Sequence, residues 1–202
     1  MLNITFDFLD QHRHGAAFRE YLRLRKRFFV DALQWDIPHN DEVEMDQYDN
    51  PCARYSLVLH QGGVVGGART MPMTACWGRH SCMLRDAARG CIDEIPSEVV
   101  PSDIATNEVW ECTRLVMSDS AGSQPERAGC LSMIVEGLID IAKRNGGREL
   151  VSLSPLPLMR ALRQLGFAVS QLGTAYRSET DGRRYAVLSM PAVSSSHLIA
   201  AE

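Results

Sequence analysis

Apolar and polar residues alternate in ITFDFL near the start of the chain, the period-two pattern of a strand with one buried face. The period then lengthens. From about Gly15 to Leu33, GAAFREYLRLRKRFFVDAL has the length and composition of a helix, with Phe18, Leu22, Arg25 and Phe29 on one stripe. Arg25 and Phe29 therefore share a face. Asp36 to Asn50 carries Pro38, Asn40, Asp41, Asp49 and Asn50, turn formers that predict an irregular loop. Two β-rich runs follow, YSLVLH and VVGGARTM, joined by QGG, the pattern of a hairpin whose glycine pair supplies the positive φ of a tight turn. Residues 77–108 mix Cys, Arg, Asp, Pro and Ser and predict only a short helix around Met83 to Arg89 before a long acidic connection.

The signal sharpens from Val109. EVWECTRLVM reads as a strand, Pro125 to Arg144 as a helix opening after Ser123, and RELVSLS as a strand. Leu156 to Leu165 reads as a helix ended by Gly166, and FAVSQLG and RRYAVLSM as two further strands. This order predicts an α/β fold, a single domain over residues 1–193 with a mixed sheet flanked by helices on both faces. Residues 194–202 read as a loose tail. No internal repeat is present. The strand-to-helix turn before residue 125 is placed to receive a phosphate-bearing ligand.

Composition narrows the class. The chain is 202 residues long, with 45% hydrophobic and 23% charged residues and no apolar run long enough to cross a bilayer, so membrane insertion is not expected. Its start, MLNITFDFLDQHRHG, lacks the basic-then-apolar order of a secretory leader, which predicts a cytoplasmic protein. Cys52, Cys76, Cys82, Cys91, Cys112 and Cys130 form no CxxC pair, and only His80 stands near one of them. Reduced, mostly buried packing thiols are expected, and no metal site. The net charge of −4 gives no reason to expect a nucleic-acid partner, but it hides a division. Residues 143–184 hold Lys143, Arg144, Arg148, Arg160, Arg163, Arg177, Arg183 and Arg184 against Glu149, Glu179 and Asp181, a net +5 that leaves −9 elsewhere. That segment is either a solvated helical face or a dock for an acidic partner.

Single residues carry little. Arg25, Phe29 and Trp35 alone fit core and surface roles, EMDQYDNP fits an ordinary acidic turn, and Arg69 in an apolar strand needs a buried partner of some kind. Glu111 and Arg114 in WECTR fit a structural ion pair equally well, and Cys112 between them has no His to activate it. In a regular strand residues three apart face opposite ways, so Glu111 and Arg114 line one pocket only if the strand bulges near Cys112 to Arg114.

The ordered set is more specific than its parts. Arg25, Phe29, Trp35, Asp46, Asp49, Arg69, Glu111 and Arg114, with RLRKRFF, QWDIP, EMDQYD, VVGGARTMP, WECTR and LMRALRQLGF around them, resemble the acyl-homoserine-lactone synthases, the autoinducer synthases of bacterial quorum sensing. The resemblance runs from about residue 20 to residue 173. It implies a three-layer α-β-α fold similar to the GNAT N-acetyltransferases. It also implies a reaction in which the amine of S-adenosylmethionine attacks an acyl thioester and the methionine carboxylate then displaces methylthioadenosine to close a lactone. S-adenosylmethionine is a substrate there, and no separate cofactor is implied.

On that resemblance Glu111 is the base for the amine, with Arg114, Asp46 and Asp49 beside it in the catalytic group. Arg25, Phe29, Trp35 and Arg69 bind S-adenosylmethionine, at least one arginine gripping the substrate carboxylate while the others brace the acids. The usual donor of the family is an acyl carrier protein, for which Lys143, Arg144, Arg148, Arg160 and Arg163 form a candidate dock; some members use acyl-coenzyme A. SAGSQPERAGC keeps Arg127 and Gly129 but not the full pyrophosphate-binding run of the acetyltransferases. Leu115, Met117, Leu131, Met133, Val135, Val151, Leu153 and Met159 fit either an acyl-chain tunnel or plain core. Two other activities remain open: an N-acyltransferase using acyl-coenzyme A and a different amine, and a non-catalytic acyl-carrier-binding module.

Overall fold

The computed structural model describes residues 1–101 and 104–194, so most of the expected tail lies outside the described residues. Seven strands form one sheet in the order β1-β2-β3-β4-β5-β7-β6: β1 Leu2–Asp7, β2 Arg54–His60, β3 Gly63–Pro72, β4 Val109–Met117, β5 Glu149–Pro155, β6 Ser170–Arg177 and β7 Arg184–Pro191. Neighbours are antiparallel except β4 and β5, which run parallel. α1 (Ala17–Arg25) and α2 (Met83–Ala88) pack with one buried cluster, α3 (Gln124–Arg144) and α4 (Leu156–Gln164) with the other, giving the expected three-layer α-β-α arrangement. No helix among the described residues is long and apolar enough to cross a membrane.

The stripe Phe18, Leu22, Arg25 and Phe29 is buried as its spacing requires. α1 does not stay α-helical to its end, however, because Lys26–Ala32 continues as a π-helix. The turn between β2 and β3 also differs in detail. Gln61 (φ 51°) and Gly62 (φ 85°) take the positive angles, and Gly63 opens the next strand. Gly66 and Gly67 serve packing instead. A Cβ on Gly66 would crowd Cys130 and Ile134 of α3, and one on Gly67 would collide with Leu57 and press Tyr21 of α1. The pair lets helices approach β3 closely on both faces.

Two further corrections concern the last third of the chain and the thiols. The expected strand FAVSQLG begins three residues late, at Ser170, because Phe167 and Val169 pack into the core from the connection after α4, and it runs on to Arg177. All six cysteines are free, but only Cys82 and Cys130 are buried, while Cys76 and Cys91 are exposed in loops. The capping box at the start of α3 forms as Ser123 predicts, with the Glu126 carboxylate accepting from the Ser123 N–H at 2.7 Å.

Candidate active site

The loop after α1 supplies the acids. Its extended part is pinned to the helix by the Glu44 N–H, which donates to the Leu22 carbonyl at 3.2 Å. Alternation then puts Glu44 and Asp46 on the same side. A tight turn follows, in which the Asp49 N–H donates to the Asp46 carbonyl at 3.0 Å and the Asp46 N–H donates to Asp49 Oδ2 at 2.9 Å. The Tyr48 N–H donates to Asp46 Oδ1 at 2.9 Å, which fixes that carboxylate as well.

Three guanidinium groups from three elements meet these three carboxylates. Arg25 of α1 grips Asp49 through both terminal nitrogens, at 2.8 and 2.9 Å, and Glu44 through Nε at 2.5 Å. Arg69 of β3 grips Asp46 at 2.5 and 3.1 Å, reaches Asp49 at 2.9 Å, and donates from Nε to Thr113 Oγ1 at 3.1 Å. Arg114 of β4 reaches Asp46 at 2.8 Å and Glu44 at 3.3 Å. The Tyr55 hydroxyl donates to Asp49 Oδ1 at 2.9 Å. The six charges cancel, so the network survives burial as a neutral unit. Burial opposes ionisation of Asp46, yet Arg69 and Arg114 overcome it and hold the carboxyl well below its usual range.

Arg114 reaches this side of the sheet because β4 is bulged. Gly67 pairs with Val116 and Arg69 with Thr113, so Arg114 and Leu115 together oppose Ala68. Arg114 takes φ 56°, a left-handed angle rare outside glycine, and its carbonyl accepts from the Tyr21 hydroxyl at 2.8 Å. The side chain thereby turns to the face that carries Glu111 and Thr113, over the Phe29 ring at 5.4 Å. The expected bulge is present, at Arg114. Beyond it the sheet opens, since β4 and β5 pair only from Val109 to Glu111 and from Glu149 to Val151.

A cavity of about 770 Å³ passes through that opening. Phe29, Trp35, Asp46, Tyr48 and Arg114 line its polar end, and Val135, Leu138, Leu150, Leu162, Leu188 and Met190 its apolar end beneath α3 and α4. Of the tunnel candidates Leu115, Met117, Val135, Val151 and Leu153 reach the cavity, whereas Leu131, Met133 and Met159 are outside its lining. Arg25, Asp49, Arg69 and Glu111 stand behind the wall, not in it. Arg25 and Arg69 are fully buried with every guanidinium nitrogen engaged, so both brace the acids.

Glu111 lies at the first turn of α2, its carboxylate accepting from the Met83 N–H at 3.0 Å and the Leu84 N–H at 2.6 Å. Burial pushes its carboxyl up to about 7, only partly offset by those amide bonds and by Arg69. Cys112, half-buried, lines the cavity beside it, and its desolvated surroundings raise that thiol to about 12, which keeps it protonated. Reading the sequence missed Glu44, Tyr48, Tyr55 and Thr113. For Glu44 a signal existed: it stands two residues before Asp46 in an extended stretch.

The basic residues divide. α3 runs back from the open end of the β4–β5 pair to its closed end, so Lys143, Arg144 and Arg148 lie about 30 Å of helix away from the opening. Arg160 and Arg163 are exposed on α4, which begins where β5 leaves the opening. At the start of α3, the expected phosphate position, the Glu126 carboxylate caps the Ser123 N–H, and Arg127 pairs with Asp119 at 3.2 Å.

Comparison with known proteins places this arrangement. A family model described as autoinducer synthase matches residues 10–197. An acyl-homoserine-lactone synthase from Rhizobium etli is 28% identical over 171 residues, 84% of this chain and 74% of that protein. Among solved structures, TofI in a ternary complex with an inhibitor and MTA superposes with a TM-score of 0.72 at 21% identity, covering 100% of this chain and 98% of the other. The coenzyme A-dependent acyl-homoserine lactone synthase BjaI, with SAM and isopentyl-CoA, superposes at 0.75 with 18% identity, covering 97% and 85%. These likenesses carry the fold, while the family match spans the bulged strand, the acidic loop and the cavity together: the chain belongs to the autoinducer synthase family.

Proposed function

We propose that the cavity binds S-adenosylmethionine at its polar end and the acyl chain of a thioester at its apolar end, and that the protein joins them to make an N-acyl-homoserine lactone. The observation that carries this reading is the path through the sheet where β4 and β5 part, charged and aromatic on one side, aliphatic on the other. The amine and the sulfonium are cationic, and Asp46, held ionised by its arginines, attracts both. Phe29 and Trp35, stacked at 5.0 Å, offer an aromatic face to the sulfonium.

Acylation needs a neutral amine, and an α-amino group in water has a pKa of about 8. Asp46 is too acidic to take that proton. Glu111, with its proton affinity near 7, is matched to the task, and its place one layer behind the cavity wall calls for a bridging water. The nitrogen then attacks the thioester carbonyl, the C–S bond breaks and the thiol leaves. For the second step Arg114 holds the methionine carboxylate, being the one guanidinium of the three that lines the cavity. Its oxygen displaces methylthioadenosine from the γ-carbon, and holding the two in line contributes several kcal/mol by analogy with effective molarities of about 10⁵ M. The substrates supply all the chemistry, so no cofactor enters.

The test is incubation with S-adenosylmethionine and a panel of acyl-carrier and acyl-coenzyme A donors, following methylthioadenosine and product mass together. Equal amounts of methylthioadenosine and lactone are expected. An acylated product without methylthioadenosine would overturn lactone formation in favour of simple N-acyl transfer.

A further inference from the structure

Segments from opposite ends of the chain meet at the polar mouth of the cavity. On one side Gln34, at φ 57°, reverses the chain after the π-helix so that the Trp35 N–H reaches back to the Phe29 carbonyl at 2.9 Å. On the other stands the hairpin of β6 and β7, whose Tyr185 ring lies 6.4 Å from the Trp35 ring. One carboxylate joins the two sides. Asp181 Oδ2 accepts from the Trp35 indole N–H at 3.3 Å and from the Tyr185 hydroxyl at 2.7 Å, while Oδ1 accepts from the Arg183 N–H at 3.0 Å. Burial opposes its charge, but these three bonds and one from the Ser178 side chain keep Asp181 below the usual carboxylate range, so it is an acceptor at neutral pH. Trp35 and Tyr185 line the cavity and Asp181 does not.

We propose that Asp181 is a positioning residue for the synthase: it latches the Trp35 indole to the last hairpin and so fixes the aromatic wall against which S-adenosylmethionine binds. The inference rests on the assignment of the polar end to that substrate. An indole stacked only on Phe29 is free to slide in its own plane; an anionic acceptor on its N–H removes that freedom before the substrate arrives. Because Trp35 precedes the acidic loop and Asp181 tips the final hairpin, the latch also ties the two ends of the chain across the mouth. Oδ2 is the atom shared by both donors. Asp181→Asn therefore keeps the side-chain shape and the Arg183 contact but presents an amide nitrogen where two donors need an acceptor.

A double-mutant cycle tests this. Asp181→Asn is expected to raise KM for S-adenosylmethionine about tenfold, the size of one charge-assisted hydrogen bond, with KM for the acyl donor unchanged. Trp35→Phe keeps an aromatic ring but has no N–H to latch, so adding Asp181→Asn to it should change KM less than about twofold. In a Trp77→Phe background, which removes an exposed indole, Asp181→Asn should also increase acrylamide quenching of the remaining fluorescence. Multiplying KM effects, or an Asp181→Asn protein with parental KM and quenching, would overturn the latch. A parent protein that releases no methylthioadenosine would instead overturn the function on which the latch depends, and the quenching arm would still judge the contact itself.

Discussion

Glu111 and Asp46 lie close together with oppositely shifted proton affinities, and in the proposed reaction that contrast divides their labour. Glu111→Gln should lower kcat by about 10²-fold or more while changing S-adenosylmethionine affinity far less, because the side chain stands behind the cavity wall. In the parent, kcat/KM should rise with pH through about 7 as Glu111 loses its proton, and this limb should vanish in the variant. Stability should move the other way. Between about 4.5 and 7 the folded protein holds a proton at Glu111 that the unfolded chain has released, so stability falls as pH rises across that window. Urea denaturation of parent and Glu111→Gln at several pH values checks the sign. The depressed carboxyls of Asp46 and Asp49 act in reverse, contributing stability at neutral pH that is lost only as the solution becomes strongly acid. Asp46→Asn leaves the buried network one positive charge in excess, with Arg69 keeping only Asp49 and Arg114 only Glu44, and should cost about 3 kcal/mol or more, read from the urea midpoint, together with activity.

At the level of elements, the site depends on irregularities placed in regular structure. A π-wound segment carries Phe29 to the cavity, a left-handed residue at Gln34 returns Trp35 onto it, and another at Arg114 turns one strand residue to the opposite face. The glycine pair in β3 is the packing counterpart. Gly67→Ala should destabilise the fold by about 1–3 kcal/mol, because Leu57 and Tyr21 must both give way inside a full core; thermal unfolding measures it. The elements themselves were legible because their periods are set by burial: the α1 stripe, the β2–β3 hairpin and the capped start of α3 all follow from local pattern. The Arg114 bulge was legible only by argument, from two residues three apart that had to share a face. Asp181 was not legible, since a hairpin-tip aspartate gives no local sign that an indole 146 positions earlier will donate to it. Nor did spacing reveal which of the arginines would brace the acids, which depends on how deep α1 and β3 are buried.

On the scale of the whole molecule the unequal charge has a geometric consequence for the acyl donor. The opening between β4 and β5 faces the start of α3 and the start of α4, and on the proposed function it is the entry for the thioester. At that end the Glu126 carboxylate caps the Ser123 N–H at the helix terminus and adds a negative charge beside it. An acidic carrier protein does not depend on that terminus, because its charges are read by side chains on the rim. The basic residues best placed for it are Arg160 and Arg163, while Lys143, Arg144 and Arg148 point from the far end of the molecule. Charge reversal separates the two groups. Arg160→Glu should raise KM for an acyl-carrier donor about tenfold at low salt, with the penalty shrinking as ionic strength rises and KM for S-adenosylmethionine unchanged. Lys143→Glu and Arg148→Glu should leave the carrier KM within about twofold of the parent at about 0.1 M salt, where their distance from the opening is about three Debye lengths. Penalties at Lys143 and Arg148 equal to that at Arg160 would show that the carrier reads the net charge of the segment, not the rim of the opening.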